Sequence, residues 1–489
     1  MLFRSPHVDP HDPLEAVASG WPRRRHYACF AAFFLAVAVY GSIIPLHFRA
    51  TAFSEGVSRF AAAMAVPFQI RSRGDFAANV LLFVPIGYCL LAVLAVDRRS
   101  PLLRMLCVPL GFLLCALSSA AIEFCQLWVP QRVCQQTDVV AQGIGAIAGI
   151  GLWLSIGQTV TDWTRSSTSS RRASVRIDWL LHVYLLGLLI YSVMPLDLTL
   201  RPGELVHKYR EGRIILLPFR HIEWDLAAVL HWMLDIGLFV PVGMWAAIWR
   251  TSSLQPVRPL VASFFCGSLV AVVLELAKLF VYSRYASADD VLFGAVGVWL
   301  GAWAMRRWRG NCVHQPPVAK DFSHARRVWL WLGLAGLYSL FLFAFYCNPF
   351  DPIHDPQQIR VRFEGFFSIP FVGKYQGPYF NALGDVLQKL LLFAVLGGLL
   401  ALAVARLSVP RPIRRILLAP SLIAAAAVGT AIETVQVFLP PHVADVGDVV
   451  LYTTGTAIGM LIATRVVSLD AQNGRRPCEE RERSSLRNR

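Results

Sequence analysis

The chain has 489 residues, of which 56% are hydrophobic and only 16% charged, and apolar runs near twenty residues recur along it. This composition describes a polytopic membrane protein and excludes a soluble globular one. The formal charge of +15 comes without a soluble basic domain, so nucleic acid is excluded as a partner and the charge is read as the bias of membrane loops.

Residues 1–26, rich in Pro and His and without a small-residue cleavage site after the first apolar run, read as an uncleaved cytoplasmic segment. Module 1 follows over 27–157, with spans predicted at 28–44, 76–96, 105–128 and 138–157. Its first span closes between Tyr40 and Pro45, where proline stops a helix close to water. A long outer loop then ends at Pro67-Phe68. The second span carries Asn79, Phe83 and Gly87 on one face, at intervals of four residues, and is interrupted by Pro85. The third ends in Glu123 and Gln126, which share a face. Arg132 stands in the short turn beyond them. The fourth span opens on Asp138, with Gln142 one turn on and Gly145 and Gly149 as a small-xxx-small pair that lets another helix approach closely.

A cytoplasmic linker, 158–178, leads to module 2 (179–305), with spans predicted at 179–195, 227–249, 260–281 and 289–305. The same features return as Tyr191 to Pro195, Pro218-Phe219, Asp235/Phe239/Gly243 with Pro241, Glu275/Lys278, Arg284, Asp290, and Gly297 with Gly301. A second linker, 306–327, precedes module 3 (328–466), with spans at 328–346, 382–404, 416–438 and 447–466. Here they are Tyr346 to Pro349, Pro370-Phe371, Lys389/Phe393/Gly397 with Val395 in the proline position, Glu433/Gln436, His442, Asp448, and Gly455 with Gly459. The tail, 467–489, with Arg475, Arg476, Glu479, Glu480, Arg481 and Arg483, reads as disordered and solvated. The expected fold is therefore all-α: about 12 spans in three repeated four-helix modules.

A glutamate and an aspartate fifteen residues apart, followed by two glycines, thus occur three times. Carboxylates are costly in a bilayer, so three copies at one spacing argue for a retained site. About two-thirds of the 46 Lys and Arg fall on one side of the spans, which predicts both termini to be cytoplasmic and the polar clusters extracytoplasmic. With histidine neutral, Asn79, Glu123, Gln126, Arg132 and Asp138, and their counterparts in each later module, sum to one negative charge. The outer loops mix apolar residues with Arg59, Lys208, Arg213 or Arg362, which suits an interfacial helix, a lid over the bundle or a plain amphipathic connector. Ten cysteines are scattered without zinc-site spacing, and no metal or cofactor is expected. Cys134 and Cys347 both sit near the outer face, where a disulfide between them and two unpaired thiols are both open, the unpaired state being the expected one.

The run Asn79-Val-Leu-Leu-Phe-Val-Pro-Ile-Gly87, then Glu123-Phe-Cys-Gln126, Arg132, and Asp138 ahead of Gly145, resembles the VanZ-like family. The resemblance covers nearly the whole chain, once per module. Gln142 departs from the asparagine usual in the family, and modules 2 and 3 are degenerate, with Asp235 and Lys278 in one, Lys389 and His442 in the other. The resemblance implies a multi-span cell-envelope protein of the cytoplasmic (inner) membrane, in a family named for a member that lowers susceptibility to teicoplanin. It implies neither a reaction nor catalytic residues, and resistance does not transfer on fold alone.

Four readings of the clusters stand at this point. They are buried networks that hold helices together, or sites for a lipid-linked glycan or glycopeptide headgroup with Arg132 as anion contact. Glu123 as a general base, with Asp138 or Arg132 orienting a substrate, is a third, but no nucleophile, metal set or phosphate loop recurs. Transport would need polar residues through the midplane, where only Lys278 and Lys389 lie deeper. The expected role is envelope biogenesis or envelope-directed antibiotic tolerance, with membrane lipid as a partner; module packing and oligomeric state stay open.

Overall fold

The computed structural model describes residues 21–44, 46–70, 72–98, 100–170, 173–194, 202–219, 225–249, 258–313, 322–367, 370, 379–407 and 409–473. Among them, twelve helices are long and apolar enough to cross a membrane. The chain forms two compact units, Met1–Arg171 and Arg172–Arg489. Predicted features at Pro45, Pro195, Phe371 and 474–489 lie outside the described residues.

The first unit runs α1 (Arg24–Ile43), a short loop helix α2 (Phe53–Met64), α3 (Arg73–Ala95), α4 (Pro101–Gln126) and α5 (Gln136–Leu152), which passes through a π-helical turn, Trp153–Gly157, into α6 (Gln158–Ser169). Serines start the second and third spans: Ser72 Oγ accepts from the Asp75 amide, and Ser100 precedes Pro101 in the first helical position. The closest pair is α3 with α5. A Cβ added at Gly145 or Gly149 would land on the Val80 or Val84 carbonyl, and one at Gly87 on Ala146. Glycine is needed here because backbone meets backbone. Phe83, Ile86, Cys115, Ile122 and Ala146 fill the core at one level, and Tyr27, Leu91, Ala95 and Trp153 fill it at another.

Residues 158–169, expected in a linker, instead continue the fourth span as α6. The helix continues because its polar residues find buried partners. Arg165, 1% exposed, bonds both Asp97 carboxylate oxygens at 2.5 and 2.9 Å and the Pro22 carbonyl at 2.9 Å. Thr161 meets the Tyr27 hydroxyl at 2.7 Å. Asp97 reaches Arg165 from a left-handed turn, φ +64°, which aspartate tolerates better than most residues. The Arg165 guanidinium holds the Asp97 carboxyl below its ordinary value. A depressed folded pKa stabilises the fold above the unfolded value of about 3.9 and loses that contribution as pH falls through the folded one. Asp97→Asn is therefore expected to lower the melting temperature at pH 7 and to lower it progressively less as pH falls below about 3.9, a comparison that differential scanning fluorimetry makes directly.

The second unit contains α7 (Ala173–Val193), α8 (Pro202–Arg210), β1 (Ile214–Ile215), α9 (Leu226–Ile248), α10 (Leu260–Leu279), β2 (Ala286–Ser287) and α11 (Ala288–Val313). It continues with α12 (Phe322–Cys347), α13 (Pro356–Phe366), α14 (Tyr379–Ala405), α15 (Arg411–Ile416), α16 (Leu418–Gln436) and α17 (Val446–Asn473). Both ends of the 306–327 linker are thus helical too. The only pleated structure among the described residues is the parallel pairing of Ile214 with Ala286 and Ile215 with Ser287. The glycine contact of module 1 recurs twice: Gly297 and Gly301 lie on the Ile236 and Val240 carbonyls, Gly455 and Gly459 on those of Leu390 and Ala394. Modules 2 and 3 share a core in which Leu234 and Leu238 pack with Leu342, Tyr346 and Leu392. Large apolar side chains such as Leu113 and Leu117 on α4, and Leu337 and Leu340 on α12, are exposed, as suits helices solvated by lipid.

Candidate functional site

In each module the spacing of the motif brings its polar residues to one end of the bundle. The third-span glutamate ties the hairpin to the fourth span. Glu275 accepts from the Ser287 amide at 2.8 Å, and Glu433 from the Asp445 amide at 2.9 Å. Around this shared staple the three modules fill their clusters differently.

Module 1 uses neutral amides. Asn79 Nδ2 donates to Asp138 at 3.1 Å, and Gln142 Nε2 donates to Asn79 Oδ1 and to Glu123 Oε1, both at 3.1 Å. Gln126 adds a bond to the same Glu123 oxygen at 3.3 Å. Glu123 is fully buried and has the Gln135 amide on it, the counterpart of the Ser287 and Asp445 bonds, whereas the buried Gln142 Oε1 has no hydrogen-bond partner. Asn79 and Asp138 are half-buried and Asp75, one turn before Asn79, is exposed.

In module 2 the Lys278 ammonium bridges Glu275 at 2.8 Å and Asp290 at 2.7 Å, with Asp235 in the field of all three. In module 3 the Lys389 ammonium bridges Asp385 at 2.9 Å and Asp448 at 2.6 Å. Glu433 also takes the Tyr452 hydroxyl at 2.8 Å, and the Tyr452 ring stacks on Phe393 with centroids 4.1 Å apart. Gln436 turns away to the Tyr346 carbonyl at 2.7 Å. Both lysines, expected to lie deeper, return their ammonium groups to the cluster.

The turn cation of each module reaches main-chain carbonyls. Arg132 donates to the Ile44 and Gly41 carbonyls at 3.0 and 2.7 Å, and Arg284 to those of Met194 and Tyr191 at 2.6 and 2.9 Å. His442, whose pKa burial holds below its ordinary value, donates from Nε2 to the Asn348 carbonyl at 3.0 Å. Each caps the end of its module's first span, where unpaired carbonyls and the negative end of the helix dipole favour a donor. Arg132 thus spends these donors on main-chain carbonyls while its charge still acts on Glu123.

The alternation of motif and hydrophobic span repeats through all of this, and the VanZ/LLP1 family model matches residues 30–157, 181–309 and 330–467. The chain belongs to the VanZ/LLP1 family. No curated protein and no solved structure matches it.

Within this VanZ/LLP1 chain the loop helices between the first and second spans dock onto the end of the third span. In module 2 the fully buried Lys208 of α8 donates to the Lys278 and Val281 carbonyls at 2.7 and 2.6 Å. In module 3 Arg362 of α13 donates to the carbonyls of Gln436 at 2.9 Å and Val437 at 2.7 Å, and to that of His442. Module 1 has Ser58 at this position and docks α2 through aromatics, with Phe53 and Phe60 both 5.7 Å from Phe124, and Trp128 bonded to the Thr51 carbonyl at 3.1 Å. These contacts seat the loop helices on the bundle. Lys208→Met is expected to speed amide exchange across Pro202–Arg210 at least about tenfold, because bonds to a charged donor contribute about 1.5–3 kcal/mol.

Sequence reasoning did not single out Tyr452, Asp385, Ser287 or Asp75. Asp75 and Asp385 were findable, since each stands one helical turn before Asn79 or Lys389. Tyr452, nineteen residues past its glutamate, aligns with Gln142. Cys134 and Cys347 are both free thiols. Burial, with Glu123 and Asp138 adding to it, pushes the Cys134 thiol up to about 12, so it stays protonated at neutral pH and supplies no nucleophile beside them.

Proposed function

We propose that this VanZ/LLP1 protein binds an envelope ligand, a lipid-linked glycan or glycopeptide-type headgroup, at the module 1 cluster. In this reading the cluster faces the extracytoplasmic side of the cytoplasmic membrane, both termini are cytoplasmic, and the role lies in envelope biogenesis or antibiotic tolerance. The observation that carries it is the contrast between modules. Modules 2 and 3 close their clusters with their own lysine, whereas module 1 has no lysine there and leaves the buried Gln142 Oε1 without a partner. An unpartnered buried acceptor costs about 1–3 kcal/mol, a cost that a bound donor removes. Modules 2 and 3, closed by their own ion pairs, act as scaffold.

Native mass spectrometry with lipid identification tests this, comparing detergent-purified wild type with Glu123→Gln, and with Glu433→Gln as the module 3 control. The expected result is an envelope glycolipid or precursor retained by wild type and the control and lost from a monodisperse Glu123→Gln. Retention of the same ordinary phospholipids by all three would sink the proposal.

A further inference from the structure

Resting on module 1 as the ligand site, we infer that the group it takes is a primary ammonium, which sits where modules 2 and 3 place a lysine.

Each cluster holds three aligned carboxyls: Asp75, Glu123 and Asp138; Asp235, Glu275 and Asp290; Asp385, Glu433 and Asp448 in the third, with a shift of one turn for Asp235. In module 2 the ammonium arrives from the third span, in module 3 from the second. The two lysines thus start from different backbone positions, yet both end on the fourth-span aspartate, at 2.7 Å from Asp290 and 2.6 Å from Asp448. Two independent routes to one location indicate that the location itself calls for an ammonium.

Module 1 has Gln126 and Asn79 at those two positions. Asn79 supplies one neutral bond to Asp138 at 3.1 Å and no charge. Arg132, the cation in the field of Glu123, is committed to the Gly41 and Ile44 carbonyls. The buried, unpartnered Gln142 Oε1 is an acceptor, so the missing group is a donor. An ammonium carries three donors and no acceptor. No group of three His, Cys, Asp or Glu among the described residues is placed to hold a metal ion. The cluster reaches the surface at exposed Asp75 and half-buried Asn79 and Asp138, so an amine at the tip of a larger headgroup would enter from the motif end. Such an amine comes either from a lipid headgroup or from a soluble molecule.

The test uses the full chain in dodecyl maltoside and three probes: dioleoylphosphatidylethanolamine, dioleoylphosphatidylcholine, which keeps the phosphate but has no N–H, and free ethanolamine. The variants are Glu123→Gln and Asn79→Lys. The second installs module 3's lysine and is expected to fold with a raised melting temperature, so it reports even if Glu123→Gln misfolds. Wild type is expected to retain the ethanolamine lipid at least about tenfold over the choline lipid, the minimum for charge-assisted hydrogen bonds, and Asn79→Lys to lose that preference. A melting-temperature rise with free ethanolamine in wild type, absent in Asn79→Lys, supports a soluble source of the same group. Equal retention of the two lipids without any response to ethanolamine overturns the inference, as does a preference that survives in Asn79→Lys. A glycolipid lost from Glu123→Gln but kept by Asn79→Lys would overturn the ammonium while leaving the broader ligand site standing.

Discussion

Lys389→Met is expected to destabilise module 3 by about 3–5 kcal/mol, the usual consequence of removing one partner from a buried charge pair. The Lys389 ammonium lies 2.6 Å from Asp448, whose side chain is 3% exposed, and 2.9 Å from Asp385. Methionine keeps the length of the side chain and its fit beside Tyr452, so the loss reports charge rather than volume. Thermal unfolding followed by tryptophan fluorescence in detergent measures it. Lys389→Met combined with Asp448→Asn is expected to recover part of the stability, because the second change removes the stranded carboxylate. A single variant that melts with wild type would show that the pair contributes nothing net.

Gly149→Val should have an effect of similar size through a different cause. A Cβ at Gly149 meets the Val84 carbonyl and lies 2.8 Å from the Tyr88 amide nitrogen. Backbone cannot turn aside as a side chain does, so α3 and α5 must separate. Overpacking of cores commonly costs about 1–3 kcal/mol, and a contact with main chain on the facing helix puts this substitution at the upper end or beyond. Gly149→Ala is expected to be intermediate. Gly143→Ala is the control: nothing lies within 4 Å of its added Cβ, and replacing a mid-helix glycine is expected to stabilise by about 0.5–1 kcal/mol. The same melting assay ranks all three, and a Gly149→Val protein as stable as Gly143→Ala would refute the close approach.

The spans were legible because each is a continuous apolar run. The repeat was legible because Glu, Asp and Gly recur at fixed intervals. Helical periodicity also put Asn79, Phe83 and Gly87 on one face, and the glycine pair on one face of the fourth span. It could not say which helix those glycines would meet, because a face is encoded within a segment and a partner is not. Arg132, Arg284, Lys208 and Arg362 were visible as cations, but their acceptors are main-chain carbonyls. Every residue type supplies a carbonyl, so such a bond leaves no trace in the order of letters.

The sequence by itself determined the solvent of this protein, its twelve spans, its threefold repetition and most of the residues of its polar clusters, though not Asp75, Asp385, Ser287 or Tyr452; all of these depend on composition and on spacing along one chain. Tertiary structure alone decided that the second and fourth spans pack on their glycines, that the turn cations cap first spans, that Arg165 draws a supposed linker into a helix, and that lysine closes two clusters while the first stays open. These depend on which end of which helix lies beside another, and that is fixed only when the backbones come together and their unpaired carbonyls and carboxylates must each find a donor.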